Sequence, residues 1–284
     1  MRGRTLQGAL IALAALALFF CGAPAVDAGG APQRIISLAP NLTEILFALG
    51  LEDRIVGVTT FCDAPEEAKR KPKIGGMSTP SLEAILAAKP DLVVVNTDGN
   101  QREFEKRLRA FRIKTYVFTA RRIHDLPAAI REMGAVLEVR ENADRLAREI
   151  ETALATMTEK RRLSSRRILY IVWPEPLIVA GPGTAVHDAI SLIGQKNIAA
   201  QAPMAYPKYS LEEVLRRSPD IIIIGKGHGI GEVSEKLLKR LRSVPAVQGG
   251  HVYYMSDNLY RLGPRLVKGL EELSGIVDRD AAKR

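Results

Sequence analysis

The chain has 284 residues, 46% of them hydrophobic and 26% charged, and a formal net charge of +9. This profile suits a soluble globular protein of one or two domains and excludes a disordered chain, a collagen-like chain and a multi-span membrane protein. Aromatic residues make up only 5% and there are two cysteines, so a disulfide-stapled scaffold is excluded and any local group of aromatic side chains carries information.

Arg2 and Arg4 precede a short apolar run from Leu10 to Phe20, followed by the breakers Gly22 and Pro24 and by the small residues of Val26-Asp27-Ala28. This is the pattern of a secretory signal peptide over residues 1–28, cut after Ala28. The apolar run is too short to cross about 30 Å of hydrocarbon. A lipid anchor at Cys21 is the lesser alternative, because bulky Phe20 stands where lipoprotein processing wants a small residue. Cleavage removes Arg2, Arg4 and Asp27, lowers the positive charge by one, and leaves Cys62 as the sole thiol, expected to be buried.

From Arg34 onward strands alternate with helices. Arg34–Leu38 reads as a strand and Asn41–Leu49 as a helix with Leu42, Ile45, Leu46 and Leu49 on one face, started by Pro40 and ended by Gly50. Arg54–Val58 is a second strand, Ser81–Ala88 a helix, Asp91–Val95 an apolar strand, Phe104–Phe111 a helix and Lys114–Phe118 a strand. Residues 140–162 hold neither Gly nor Pro, and Leu146, Ile150, Ala153, Leu154 and Met157 keep helical spacing. At 1.5 Å per residue the segment would make a strut of roughly 35 Å. Strands at Ile168–Val172, Ile221–Ile224 and Val252–Met255 follow. Such alternation predicts βαβ units with parallel sheets.

The chain also repeats itself. Leu82-Glu-Ala-Ile-Leu-Ala-Ala-Lys-Pro-Asp-Leu-Val-Val-Val95 and Leu211-Glu-Glu-Val-Leu-Arg-Arg-Ser-Pro-Asp-Ile-Ile-Ile-Ile224 align at one constant offset, each preceded by an N-capping serine, Ser81 or Ser210. One α/β unit used twice predicts two lobes: residues 34–139, a linking helix over 140–163, and residues 166–277.

No catalytic constellation stands out: there is no Gly-x-Ser-x-Gly, no Gly-Lys-Ser/Thr phosphate loop and no His-Glu-x-x-His. Gly225-Lys226-Gly227-His228-Gly229 lacks the spacing of a phosphate loop and reads as a flexible turn. His124, His187, His228 and His251 are too scattered for a metal site. The basic residues are spread along helices without interleaved aromatics, so nucleic-acid binding is not expected. Phe61, Trp173, Tyr206, Tyr209 and Tyr260 all lie in stretches that follow strands or precede helices. Ligands of open α/β sheets bind outside the carboxyl ends of strands, so two facing lobes would make an aromatic-lined cleft.

Arg34-Ile-Ile-Ser-Leu-Ala-Pro-Asn-Leu-Thr-Glu44, Val56-Gly57-Val58, Glu83 with Lys89-Pro-Asp-Leu-Val93, Tyr209-Ser-Leu-Glu212 and Ser256-Asp257 resemble, in order and spacing, the periplasmic binding proteins for vitamin B12, ferric siderophores and haem. The resemblance runs from about Arg34 to Leu273 and is nearest to the vitamin B12-binding branch. It implies an α/β fold of two Rossmann-like lobes with parallel-rich central sheets joined by a single long rigid helix (the helical-backbone metal-receptor type). It also implies an exported, periplasmic, monomeric protein that catalyses nothing, binds no metal of its own and no cofactor, and delivers a small molecule to an ABC importer.

The implied ligand is a cobalt corrinoid, with a ferric siderophore or haem as the alternative. The implied contacts are Pro40, Phe61, Asn96, Trp173, Tyr206 and the loop Asp257, Asn258, Leu259, Tyr260, Arg261. Phe61 stands where the branch has Tyr, and Asn96 where it has Trp. For an anionic ligand Arg261 and Arg265 would supply the charge; for haem Tyr206, Tyr209 or Tyr260 would supply an axial oxygen. Glu83 and Glu212 match the acidic residues that dock onto permease arginines. From the repeat alone the two glutamates fit a helix-dipole role of about 0.3–1 kcal/mol equally well.

Overall fold

The architecture starts with a βα unit. In the computed structural model, which describes residues 30–97, 102–159, 165–226 and 230–283, strand β1 (Ile35–Ser37) leads into helix α1 (Pro40–Ala48). Proline suits the first helical position because its fixed φ is helical and its missing N–H would have had no partner there. The leader over 1–28 with Cys21, the turn residues 227–229 and the last residues of the expected linking helix (160–163) lie outside the described residues.

Strand β2 (Ile55–Val58), helix α2 (Leu82–Ala87), strand β3 (Leu92–Asn96), helix α3 (Arg102–Ala110) and strand β4 (Thr115–Phe118) complete the first sheet. It is wholly parallel, in the order β2-β1-β3-β4. The apolar run Leu92–Val95 is explained by burial on both faces. Helices α4 (Leu126–Val136) and α5 (Arg140–Glu159) follow. Of the residues picked out by helical spacing, Leu146, Ile150, Leu154 and Met157 are buried on α5 together with Ala143 and Ala147, while Ala153 is only half-buried at the edge of that face.

The second sheet consists of β5 (Arg167–Pro174), β6 (Leu177–Val179), β7 (Lys196–Asn197), β8 (Ile221–Gly225) and β9 (Val252–Met255). Helix α6 (Ala185–Leu192) lies between β6 and β7, and α7 (Leu211–Arg217) leads into β8. Helices α8 (Ile230–Arg240) and α9 (Pro245–Gln248) connect β8 to β9, and α10 (Leu266–Ala282) is the last element among the described residues. Strand β5 pairs in parallel with β7 and β8, and β8 with β9, while β6 folds back antiparallel on β5.

The repeat has a structural reason. In each copy the residue before Pro-Asp takes a left-handed conformation, Lys89 at φ 45 and Ser218 at φ 44, which turns the chain sharply from helix to strand. The aspartate then fastens the start of the neighbouring strand. Asp91 accepts the N–H groups of Gln33 and Arg34 at 2.7 and 3.0 Å, and Asp220 accepts that of Arg167 at 2.8 Å.

Alternate residues of each strand point to opposite faces, and this divides the core. Ile36, Val93 and Val95 pack with Ile85 and Leu108 on one side of the first sheet. Leu169, Ile171, Ile222 and Ile224 pack with Val214, Leu237 and Leu241 on one side of the second. The remaining faces share one cluster: it runs from Ile35, Val94 and Phe118 through Leu146, Ile150 and Leu154 of α5 to Tyr170, Ile223 and Leu270 of α10. The connection is therefore broader than a lone strut, because a continuous apolar core and α10 accompany α5. Among the described residues no helix is long and apolar enough to cross a membrane.

Helices α4 and α5 are held by Arg131, which donates to Asp144 at 3.0 Å and to both carboxylate oxygens of Glu151 at 2.6 and 2.8 Å. They approach so closely at Gly134 that a Cβ there would collide with Cβ of Ala143. Overpacking a tight contact costs about 1–3 kcal/mol. Gly134→Leu is therefore expected to lower Tm by roughly 2–10 °C in a chain of this size. An unchanged melting curve by circular dichroism would refute the close approach.

Candidate functional site

The carboxyl ends of the first sheet face loops of the second lobe across a cleft of about 790 Å³. Pro40 follows β1, Phe61 follows β2, Asn96 ends β3 and Arg121 follows β4. From the other side come Thr184 at the start of α6, Tyr206 in the loop before α7, and Tyr260 with Arg261 after β9. The volume lies in the range of small-molecule sites.

Phe61 and Tyr206 contribute the exposed aromatic surface: they are 60% and 49% solvent-accessible. Because the two rings share one concave lining, they offer apolar contact area to whatever fills the cleft. Asn96 lies deeper and donates from Nδ2 to Oδ1 of Asn41 at 3.2 Å; Asn41 in turn donates to the Leu262 carbonyl at 3.1 Å, joining the two lobes. Tyr260 is mostly buried, edge-on to Tyr170 with ring centroids 5.8 Å apart. Its hydroxyl sits over Gly225, where a Cβ would overlap it. Burial pushes the Tyr260 hydroxyl pKa up to about 12.

Arg261 borders the cleft within a charge cluster that crosses between the lobes. Glu44 of α1, whose side chain is only 5% exposed, receives two bonds from Arg265 at 2.9 and 3.0 Å and one from Arg261 at 3.2 Å. Arg261 also donates to Asp63 at 2.9 Å, and Arg265 to Asp257 and Asn258 at 3.1 and 3.3 Å. Burial works against the charge of both guanidiniums, but the surrounding carboxylates outweigh it and raise both pKa values above the ordinary one. Partial burial alone would raise the Asp63 pKa; the Arg261 guanidinium reverses this and holds it below its usual value.

The structure thus brings Pro40, Phe61, Asn96, Tyr206, Tyr260 and Arg261 around one cleft. It places the other predicted residues elsewhere. Trp173 is exposed but outside the cleft lining, with its indole N–H bonded to the Glu175 carbonyl at 2.7 Å. Leu259 is fully buried against Gly269 of α10. Asp257 and Asn258 hold arginines instead of facing the cavity. Tyr209 is buried, with the Arg217 guanidinium 5.4 Å from its ring centre.

Sequence reasoning passed over Asn41, Met77, Thr184 and Arg121, all in the lining. Arg121 was within reach of the carboxyl-end rule applied to the aromatic residues, since it lies in the stretch that follows parallel strand β4. Cys62 is buried, its Sγ 3.1 Å from the Thr43 hydroxyl and 3.2 Å from that of Thr59.

Glu83 and Glu212 occupy equivalent places, each two residues after its capping serine and each exposed. Glu212 has a lowered pKa because its own backbone N–H, and then Ser210, donate to its carboxylate. Among the described residues no group of three or more His, Cys, Asp or Glu side chains is arranged to hold a metal ion.

The sequence pattern of the periplasmic binding protein family matches residues 35–259. A vitamin B12-binding protein of Pectobacterium carotovorum is 29% identical over 245 residues, covering 85% of this chain and 87% of that one. An uncharacterized ABC transporter substrate-binding lipoprotein of Bacillus subtilis is 29% identical over 261 residues, covering 89% and 82%. Among solved structures, the periplasmic haem-binding protein of Roseiflexus in its apo form superposes with a TM-score of 0.79 at 28% identity, covering 88% of this chain and 99% of that one.

Proposed function

Given that the chain belongs to the periplasmic binding protein family, we propose that it is an exported solute-binding protein, active as a monomer, that captures a corrinoid such as vitamin B12 in the interlobe cleft and hands it to an ABC importer. One observation carries this reading: two exposed rings, Phe61 and Tyr206, come from opposite lobes to one cleft of about 790 Å³, as capture of a broad conjugated ring system requires. The similarity to a vitamin B12-binding protein supports it. Membership of the periplasmic binding protein family supports a role in binding. The family and the signal-like leader support a periplasmic location.

A haem or ferric-siderophore reading is favoured by Tyr206 in the cleft lining, whose side chain carries an oxygen of the kind that ligates iron, and by the likeness to a haem-binding protein. Calorimetric titration with cyanocobalamin, haemin and a ferric siderophore separates the readings. Trp173 fluorescence is a poor reporter, since its indole is tied to Glu175 outside the cleft lining. One-to-one binding of cyanocobalamin at micromolar or tighter affinity is the expected result. Heat from haemin alone, with a shifted Soret band, would move the assignment to haem.

The paired exposure of Glu83 and Glu212 supports their use as docking points for the importer. Charge reversal of both, Glu83→Lys with Glu212→Lys, is expected to leave solution affinity within about twofold while lowering importer-dependent uptake at least tenfold, an order of magnitude typical for losing interfacial charge pairs. Unchanged uptake in reconstituted vesicles would remove the glutamates from the interface.

A further inference from the structure

Two guanidinium groups and no carboxylate line the cleft among the described residues. Their surroundings differ. Arg261 lies 3.2, 2.9 and 3.6 Å from carboxylate oxygens of Glu44, Asp63 and Asp257, and Arg265 behind it shares Glu44 and Asp257. Three carboxylates around two cations leave that corner no positive charge to offer. Arg121 is exposed and, among the described residues, makes no hydrogen bond or ion pair.

The backbone beside Arg121 is moored. Arg122 donates to both carboxylate oxygens of Asp188 at 3.3 and 3.1 Å, and the Ile123 N–H donates to the same carboxylate at 3.2 Å. Asp188 lies in the first turn of α6, so these bonds hold the Arg121 segment beside the amino end of that helix. Gly183, Thr184 and Ala185 at this end line the same cleft, as do Pro40 and Asn41 at the amino end of α1. Helix amino ends carry partial positive charge. The fully engaged Asp188 carboxylate offsets part of it at α6, but Ala39, the N-cap of α1, has no side chain with which to cap that helix.

A ligand that fills the cleft strips water from Arg121. Desolvating a cation without a counter-charge is costly, so the ligand itself must bring one. The geometry points to a ligand bearing an anionic oxygen group, a phosphodiester or a carboxylate, held by Arg121 beside the amino end of α6, while Arg261 and Arg265 hold the lobes together. This inference rests on the cleft being the ligand site, as proposed above, and specifies which arginine meets the charge.

The test uses two matched ligand pairs, each differing in the anionic group: cyanocobalamin against dicyanocobinamide, which lacks the phosphodiester and its nucleotide, and haemin against its dimethyl ester. Affinities are measured for wild type, Arg121→Gln and Arg121→Lys at several salt concentrations. A charge-assisted hydrogen bond at an exposed residue predicts about tenfold weaker binding of the anionic member to Arg121→Gln, with a flatter salt dependence. Little change is expected for the neutral member, and Arg121→Lys should restore most of the loss.

Because Arg121 is exposed and unpaired, the variants should fold as wild type does, and equal melting temperatures check this. Equal losses for both members of a pair, or no loss for either, would overturn the inference while leaving the cleft as the binding site. Failure of the wild type to bind all four ligands would overturn the proposed function and the inference together.

Discussion

Glu44→Ala is expected to lower Tm by about 6–12 °C. The Glu44 side chain is 5% exposed and accepts hydrogen bonds from two guanidiniums that approach from the other lobe. Removing one partner of a buried ion pair costs about 3–5 kcal/mol, mostly because the remaining charge is stranded. Arg261 and Arg265 would keep Asp63 and Asp257, which favours the lower figure, and about 3 kcal/mol corresponds to that shift in a chain of this size. Glu44→Gln separates charge from volume: it leaves no cavity, so a loss nearly as large assigns the effect to the ion pairs. Calorimetric scans that fall by less than about 2 °C for both variants would show that the cluster does not hold the lobes.

The same cluster sets an acid limit. Asp63 has a lowered pKa in the folded protein, so its contribution is complete above its unfolded value near 3.9. It is lost as pH falls through the lower folded value. Stability attributable to this group should hold from pH 7 to about 5 and decline below about 4. The decline should shrink in Arg261→Gln, where the guanidinium that lowers the Asp63 pKa is gone.

Phe61→Ala and Tyr206→Ala are each expected to weaken ligand binding about 10- to 30-fold, the loss usual for an aromatic anchor at a binding site. The double variant should approach the product of the two losses if the rings touch separate faces of the ligand. Neither change should move Tm appreciably, because both side chains are largely exposed. Tyr206→Phe distinguishes the ligand classes: a corrinoid held by ring contact should keep its affinity within about threefold, whereas haem ligated through the hydroxyl should lose the iron–oxygen bond and shift its Soret band. Full affinity in Phe61→Ala would remove the first lobe's ring from the site.

Much of the secondary structure was legible because its signals are short-range. Helical spacing from Leu146 to Met157 outlined the buried face of α5, and the run Leu92–Val95 announced a strand covered on both sides. Strand β6 was missed: it is three residues long, too short for any periodicity. The aromatic residues show where such reading stops. Phe61, Trp173, Tyr206 and Tyr209 share similar local surroundings in the text, yet Tyr209 is buried beneath Arg217 and Trp173 is anchored to Glu175, while Phe61 and Tyr206 stand at the cleft. Which side of its element a loop residue faces depends on neighbours that local pattern does not specify.

By itself the sequence determined the α/β class, the doubled unit with its Pro-Asp turns and the family, because capping, periodicity and left-handed turns act within about fifteen residues of chain. Only the tertiary structure decided how the lobes are joined and which arginine is free. Glu44 meets Arg261 and Arg265 across 217 and 221 positions of sequence. Charge neutralisation is a property of distance in space, so a residue that reads as a ligand contact in the text becomes a fastening between lobes, and Arg121, unremarkable in the text, becomes the unpaired cation of the cleft lining among the described residues.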